Sequence, residues 1–310
     1  MVAASAPGKL ILYGEHAVVF GEPALSVAIS KRTRVETQPG GRTEVNGHPL
    51  QEGQYPYVAE ALRATKRDEP LSVTIESDIP MAAGMGSSAA VTVGLLACLQ
   101  GARGRLHEEE IARTGFEVEH AVQGRASPID TTTATHGGGI LLLKQREENF
   151  LWRIEKGATR WNLHGSPLPE MTFVVGTTGI EAATGPLVAQ VKRRVETQPG
   201  ARRAVERIGE IALEGVEALR RGDLERGGEL MLENHRLLNT LGVGHVALDK
   251  LVAASIPLSF GAKLTGAGGG GSMIALTNDP LGVTRALKSA GGSAFAVSTV
   301  PTGVQLERRS

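Results

Sequence analysis

Ile79-Pro80-Met81-Ala82-Ala83-Gly84-Met85-Gly86-Ser87-Ser88-Ala89-Ala90 leads into an apolar stretch that runs on to Gln100, and its reading decides the rest of the chain. Small residues let a backbone approach a ligand closely, and Ser87 is placed to cap a new helix. The orphan N–H groups of a first helical turn form an anion site. Two glycines and two hydroxyls at one helix entry combine close approach, N–H donors and a ligand for Mg²⁺. The plainer reading is a tight loop opening a helix of small residues. Neither common phosphate loop is present, since no G-x-x-x-x-G-K-[ST] occurs and no G-x-G-x-x-G opens a helix in a βαβ setting.

Two other glycine-rich segments flank this one at long range, Ser5-Ala6-Pro7-Gly8-Lys9 and Lys263-Leu264-Thr265-Gly266-Ala267-Gly268-Gly269-Gly270-Gly271. So many glycines between two strand-like runs cost chain entropy without packing in return. Close backbone contact with a ligand or with the first loop explains them better than a flexible hairpin does.

At 310 residues the chain is long enough for two packed lobes. Lys plus Arg and Asp plus Glu both number 33, so no global basic field recruits nucleic acid or an anionic membrane, while a local anion site stays open. Cys98 is the single cysteine and lies in an apolar helical run, which excludes an intramolecular disulfide and a thiolate metal cluster. That usage fits a reducing cytoplasm, and the residues from Met1 to Ser5 carry neither a basic region nor an apolar one. We therefore expect a soluble, cytoplasmic protein.

Strands are expected at 9–13, 24–29, 33–37 and 71–75, with helices at 57–66, 88–100 and 107–123 and further strands at 139–144 and 150–154. After about Pro167 a strand at 171–175 precedes helices at 186–196, 204–220, 224–241 and 246–254. A strand, helix, strand unit at 272–276, 281–289 and 293–298 closes the chain. Strands followed by helices in each half indicate α+β lobes, divided as residues 1–165 and 166–310. Arg34-Val35-Glu36-Thr37-Gln38-Pro39-Gly40 recurs as residues 194–200, but nothing around the copies matches, so this is no repeat architecture.

Several single residues carry candidate chemistry. Asp130 sits in Ser127-Pro128-Ile129-Asp130-Thr131-Thr132-Thr133, which reads as a turn before a strand. It is either a turn residue or a carboxylate that positions or deprotonates an attacking hydroxyl. Glu119 shares a helical stripe with Ala112 and Phe116, and a carboxylate at the edge of an apolar face needs a partner, either Mg²⁺ or an arginine. Lys9, Glu15 and His16 follow the first glycine-rich segment and could together line a site; singly each reads as surface.

The three segments, in this order and spacing, resemble the motifs of the kinase superfamily named for galactokinase, homoserine kinase, mevalonate kinase and phosphomevalonate kinase (GHMP). Within it, Lys9-Leu10-Ile11-Leu12-Tyr13-Gly14-Glu15-His16-Ala17-Val18-Val19-Phe20-Gly21 is similar to the first motif of the mevalonate kinase family. Ser127-Pro128-Ile129-Asp130 with Thr135-His136-Gly137-Gly138, and Thr184-Gly185-Pro186-Leu187-Val188-Ala189-Gln190-Val191, are similar to that family too. The resemblance covers nearly the whole chain. It implies a two-lobed α+β fold, with an N-terminal ribosomal-protein-S5-like lobe, a C-terminal ferredoxin-like lobe and the active site in the cleft between them. It further implies ATP-dependent phosphorylation of the 5-hydroxyl of (R)-mevalonate, a step of isoprenoid biosynthesis.

Carried over from the family, Asp130 and Lys9 are the catalytic pair. Pro80, Ala82, Ala83, Gly84, Met85, Gly86, Ser87, Ser88 and Ala89 hold the triphosphate, and Ser88 and Glu119 bind Mg²⁺. Glu15, His16 and Thr184 lie on the mevalonate side. Gly185 stands where a Lys or Arg is common in the family, which leaves Lys192 or Arg193 as cations for the mevalonate carboxylate. The implied partners are ATP and mevalonate, with no nucleic acid and no membrane, and a homodimer is left open. Another alcohol, a sugar or a phosphorylated mevalonate as acceptor, and a non-catalytic ligand sensor on the same scaffold, are the alternatives.

Overall fold

Val2–Tyr13 forms one twelve-residue strand, β1, because its buried positions continue well before the apolar run at Lys9. The structure is a computed structural model; it describes residues 1–67, 69–80, 84–102, 104, 106–124, 126–180 and 184–307. The next strand, β2 (Ala24–Pro39), replaces the two short strands expected there. Its polar middle is no break, because the Arg32 guanidinium donates to the carbonyls of Ser5 at 2.8 Å and Gly303 at 2.7 Å. Tertiary partners thus carry a charge that reads locally as a strand end.

The first lobe continues with β3 (Glu44–Val45), β4 (His48–Pro49), α1 (Pro56–Ala64), β5 (Leu71–Ser77), α2 (Ser87–Gly101), α3 (Glu108–Gln123) and α4 (Ile129–His136). It ends with β6 (Gly139–Leu143), β7 (Phe150–Lys156) and β8 (Thr159–Ser166). Sheet order is β4-β3-β5-β2-β6-β8-β7, with β1 antiparallel to β2. Strand β8 has no clean apolar alternation. It is held by polar atoms that find partners elsewhere, as when Asn162 Nδ2 donates to the Lys144 carbonyl at 2.8 Å.

Helix α2 is buried from Ala89 to Leu99 except at Val91 and lies against β1 and β2. A helix apolar on every side belongs in a core. Gly94 permits the contact, since a Cβ there would stand 2.9 Å from Val35 Cγ2. Cys98 packs inside this helix as a free thiol, which burial pushes up to about 12.

The second lobe runs β9 (Thr172–Thr177), α5 (Thr184–Thr197), α6 (Pro199–Arg220), α7 (Leu224–Thr240), α8 (Val246–Ser255), β10 (Gly261–Thr265), β11 (Ser272–Leu276), α9 (Pro280–Ser289) and β12 (Ser293–Ser298). The antiparallel order β10-β11-β9-β12 is that of a ferredoxin-like sheet in which two strand-helix-strand units are split. Strand β13 (Gln305–Glu307) then returns to the first sheet and pairs with β1. The end of the chain therefore rejoins the first lobe's sheet, a long-range pairing that the division at 165/166 does not anticipate.

Helix α7 crosses β10 in backbone contact at Gly228, where a Cβ would lie 2.1 Å from the Phe260 carbonyl oxygen. Gly228→Ala should therefore destabilise the fold by about 1–3 kcal/mol through overpacking. Urea unfolding read by circular dichroism checks this, and an unchanged midpoint would contradict the close approach. No helix among the described residues is long and apolar enough to cross a membrane.

Candidate active site

Strand β1 carries a register shift between Pro7 and Lys9, and bulges of this kind re-aim side chains. The Lys9 N–H donates to the Met85 carbonyl at 3.0 Å, which ties the strand to the glycine loop. Gly86 is required here twice over. Its φ is +70°, and a Cβ would come within 2.9 Å of Lys9 Cγ, so the lysine stem lies directly along the loop. Lys9 is buried, and its Nζ stands 3.0 Å from Asp130 Oδ2.

Asp130 lies in the first turn of α4, so the stretch expected as a turn is a helix. Threonine is a weak helix former because its hydroxyl competes for backbone partners. Here the competition stays inside the helix, as Thr133 Oγ1 donates to the Ile129 carbonyl at 2.6 Å and Thr135 Oγ1 to that of Thr131 at 2.7 Å. Thr131, Thr132, Thr133 and Thr135 are all buried, and tertiary packing overrides the local preference.

Helix α2 begins at Ser87 with Gly86 as its left-handed cap, so Ser87 does not supply the capping oxygen expected of it. The Ser88 hydroxyl donates instead to Glu119 Oε1 at 3.0 Å. Glu119 is only 3% exposed, and burial together with the Asp130 charge pushes its carboxyl up to about 8, against the opposing pull of Ser88 and Lys9. No cation among the described residues forms an ion pair with it, so the arginine alternative fails. Gly115 brings α3 against α4, since a Cβ there would be 3.2 Å from Thr131 Cγ2. This is how Glu119 and Asp130 come to feel each other.

A buried carboxylate and a hydroxyl beside a glycine loop fit Mg²⁺, which takes one or two protein oxygens and fills its octahedron with phosphate and water. Among the described residues no group of three or more His, Cys, Asp or Glu is placed to hold a metal ion by itself. Tyr57 borders the same carboxylate and is a residue the motif reading missed. Gln123 Nε2 donates to its hydroxyl at 3.0 Å, and burial, with Glu119 adding to it, raises the pKa of that hydroxyl.

The second lobe supplies the facing wall. Gly84 and Gly266 approach so closely that a Cβ on Gly266 would stand 3.5 Å from Gly84 Cα. The two glycine loops thus meet, one of the two outcomes the glycine cluster suggested. His16 donates through Nε2 to the Ala267 carbonyl at 2.9 Å, and its own φ is +61°, a backbone conformation uncommon for a residue other than glycine. Burial lowers the pKa of His16. The Tyr13 hydroxyl donates to the Gly227 carbonyl at 2.8 Å, a third link between the lobes.

Glu15 does not stand alone as the sequence suggests. Lys263 Nζ from β10 contacts Glu15 Oε1, and both side chains are buried. Desolvation raises the carboxyl of Glu15 and lowers the amine of Lys263. Lys263 was the other residue missed: its local signal is only a lysine in a short strand-like run leading into a glycine loop, and its burial follows from the fold.

Lys9, Asp130, Ser88, Glu119 and the Gly84–Gly86 loop therefore form one cluster, with Glu15 and His16 beside it on the interlobe wall. Met85 contributes its carbonyl, while its side chain is buried in the core, and Ala89 is buried in the first turn of α2. Pro80 is exposed at the loop entry. Ala82 and Ala83 lie outside the described residues, as does the Thr184 side chain, though Thr184 begins α5. Lys192 and Arg193 are exposed on α5 and, among the described residues, make no ion pair that draws them to the cluster.

Comparison with known proteins agrees with this architecture. The GHMP kinases N terminal domain family matches residues 55–138, and the GHMP kinases C terminal family matches residues 216–296. A mevalonate kinase of Pyrococcus furiosus is 35% identical, covering 99% of this chain and 98% of its own. One from Pyrococcus abyssi is 37% identical over the same shares. Among solved structures, L. major mevalonate kinase in complex with R-mevalonate superposes with a TM-score of 0.80 at 28% identity, covering 96% of each chain.

Proposed function

The chain belongs to the GHMP kinase family, and from that premise we propose that it transfers the γ-phosphoryl group of ATP to the 5-hydroxyl of (R)-mevalonate, giving 5-phosphomevalonate and ADP. The observation that carries the chemistry is the 3.0 Å contact of Lys9 with Asp130 beside the Ser88–Glu119 pair. Full-length similarity to mevalonate kinases on both sides of the cleft supports the choice of acceptor.

Phosphoryl transfer asks a protein mainly for positioning and charge neutralisation. The backbone from Gly84 to Ala89 would cradle the phosphates at the N-terminus of α2, where a first helical turn leaves N–H groups without intrahelical partners. Ser88 and Glu119 would hold Mg²⁺, which when bound neutralises phosphate charge. Asp130 accepts or orients the proton of the attacking hydroxyl. Lys9, fixed against Gly86 and 3.0 Å from Asp130 Oδ2, stabilises the charge that develops on that oxygen. Glu15 and His16 face the acceptor side, with Thr184 and Lys192 as further contributors. A lobe division near residue 166 and a cytoplasmic setting accord with two small, water-soluble substrates.

An ADP-release assay across a panel of acceptors tests this reading. Turnover with (R)-mevalonate should exceed that with phosphomevalonate, galactose and homoserine by at least about a hundredfold in kcat/KM, as expected where polar groups must be matched. Preference for any other acceptor would retain the fold and overturn the substrate.

A further inference from the structure

The geometry points to Lys263 as a positioning residue for the acceptor alcohol, a cation from the second lobe that holds Glu15 so that its other carboxylate oxygen receives a substrate hydroxyl. This rests on the reading of the cleft as the site of a small alcohol. Lys263 is fully buried in β10, and its Nζ donates to Glu15 Oε1 and, at 2.7 Å, to the Leu264 carbonyl. Glu15 Oε2 is buried and has no hydrogen-bond partner. A buried acceptor left unmatched is costly, so an oxygen fixed in that state beside a ligand cleft is complementary to a donor that arrives with the ligand.

The lysine is itself held from behind. The Leu264 N–H donates to His235 Nδ1 at 3.2 Å, which places the ring proton on Nε2, and that atom donates to Asp249 Oδ1 at 3.0 Å. Asn239 Nδ2 fixes the same aspartate oxygen at 2.9 Å. Strand β10 is therefore pinned at the residue next to Lys263, and the ammonium cannot follow Glu15 if the carboxylate turns. Pairing also removes net charge from the wall. A lone carboxylate would repel an anionic hydroxy acid, whereas the Glu15–Lys263 pair offers an acceptor oxygen without net charge. Such a pair is weak evidence for stability, because buried ion pairs seldom outperform apolar substitutes, and so a role in recognition accounts for it better.

Kinetics of Lys263→Met separate this role from a structural one. The acceptor KM should rise by about tenfold or more while the ATP KM moves by less than about threefold, because the loss is confined to one substrate's site. The ionisable groups around Glu15 are Lys9, Tyr13 and the adjacent His16 from its own lobe and Lys263 from the other, with His235 behind Lys263. Burial raises the Glu15 carboxyl and Lys263 opposes that, so without Lys263 kcat/KM for the acceptor should climb with rising pH more steeply in the variant than in the parent. That added slope should vanish in Glu15→Gln/Lys263→Met.

Lys263→Met strands a buried carboxylate and can compromise folding, so thermal melting accompanies the kinetics. The double variant, which has no buried charge at the pair, then carries the decision against Glu15→Gln alone. A residue that acts only through Glu15 adds less than about twofold to the loss once Glu15 is gone. A further tenfold loss, or an unchanged acceptor KM in a folded Lys263→Met, overturns the assignment. Absence of mevalonate turnover in the parent protein instead overturns the substrate reading, and the two failures are distinct.

Discussion

Asp130→Asn lowers kcat by about 10³-fold or more and leaves the affinity for ATP within about threefold of the parent protein. Asparagine keeps the shape and removes the charge, so the packing of α4 survives. What disappears is the group that can take or orient the hydroxyl proton. The geometry makes the effect large, because Lys9 Nζ lies 3.0 Å from Asp130 Oδ2 and is itself buried. Removing the carboxylate leaves that ammonium without its partner beside the reacting oxygen, so proton acceptance and lysine orientation fail together. Steady-state turnover with nucleotide binding followed by fluorescence checks it. Near-normal kcat in a folded variant would remove Asp130 from the reaction.

Glu119→Gln should cost about 10²-fold or more in kcat/KM and shift the Mg²⁺ requirement to higher concentration, since an amide oxygen is a poor substitute for a carboxylate on a hard cation. The same change should stabilise the metal-free protein at alkaline pH. The folded-state pKa of Glu119 is pushed from 4.5 up to about 8, chiefly by burial. A carboxyl raised in this way contributes stability that is complete below 4.5 and lost as the pH rises through 8. Glutamine mimics the protonated form and keeps that contribution. At about pH 9 without Mg²⁺ the variant should melt some 2 °C or more above the parent, and the difference should close by about pH 5. Melting curves with and without EDTA decide it. A variant less stable than its parent at alkaline pH would mean that Glu119 is not held against its charge.

Most elements were legible because their signals are local. The apolar run after Ser88 reads as a buried helix, and the short apolar runs at 272–276 and 293–298 read as strands. Glu119 stood out from its stripe with Ala112 and Phe116, and all three prove buried on one face of α3. Asp130 was visible as a residue but not as part of a helix, because four threonines among eight residues argue against helix until burial supplies other partners. The continuity of β2 through Arg32 was hidden for a similar reason, its carbonyl partners being far off in sequence.

By itself the sequence determined the two-lobed α+β class and marked the glycine loop and Glu119 as candidates, since glycine spacing, hydroxyls at a helix start and hydrophobic period all act within a few residues, whereas Lys9 and Asp130 were singled out as a pair through the family resemblance. Only the tertiary structure decided that Gly84 meets Gly266, that the last strand returns to β1, and that Lys263 closes on Glu15 across 248 positions. The physical reason is that desolvation and close approach belong to pairs of surfaces. A lysine in a strand becomes a buried partner only when another lobe brings the carboxylate to it, and no local propensity encodes which one arrives.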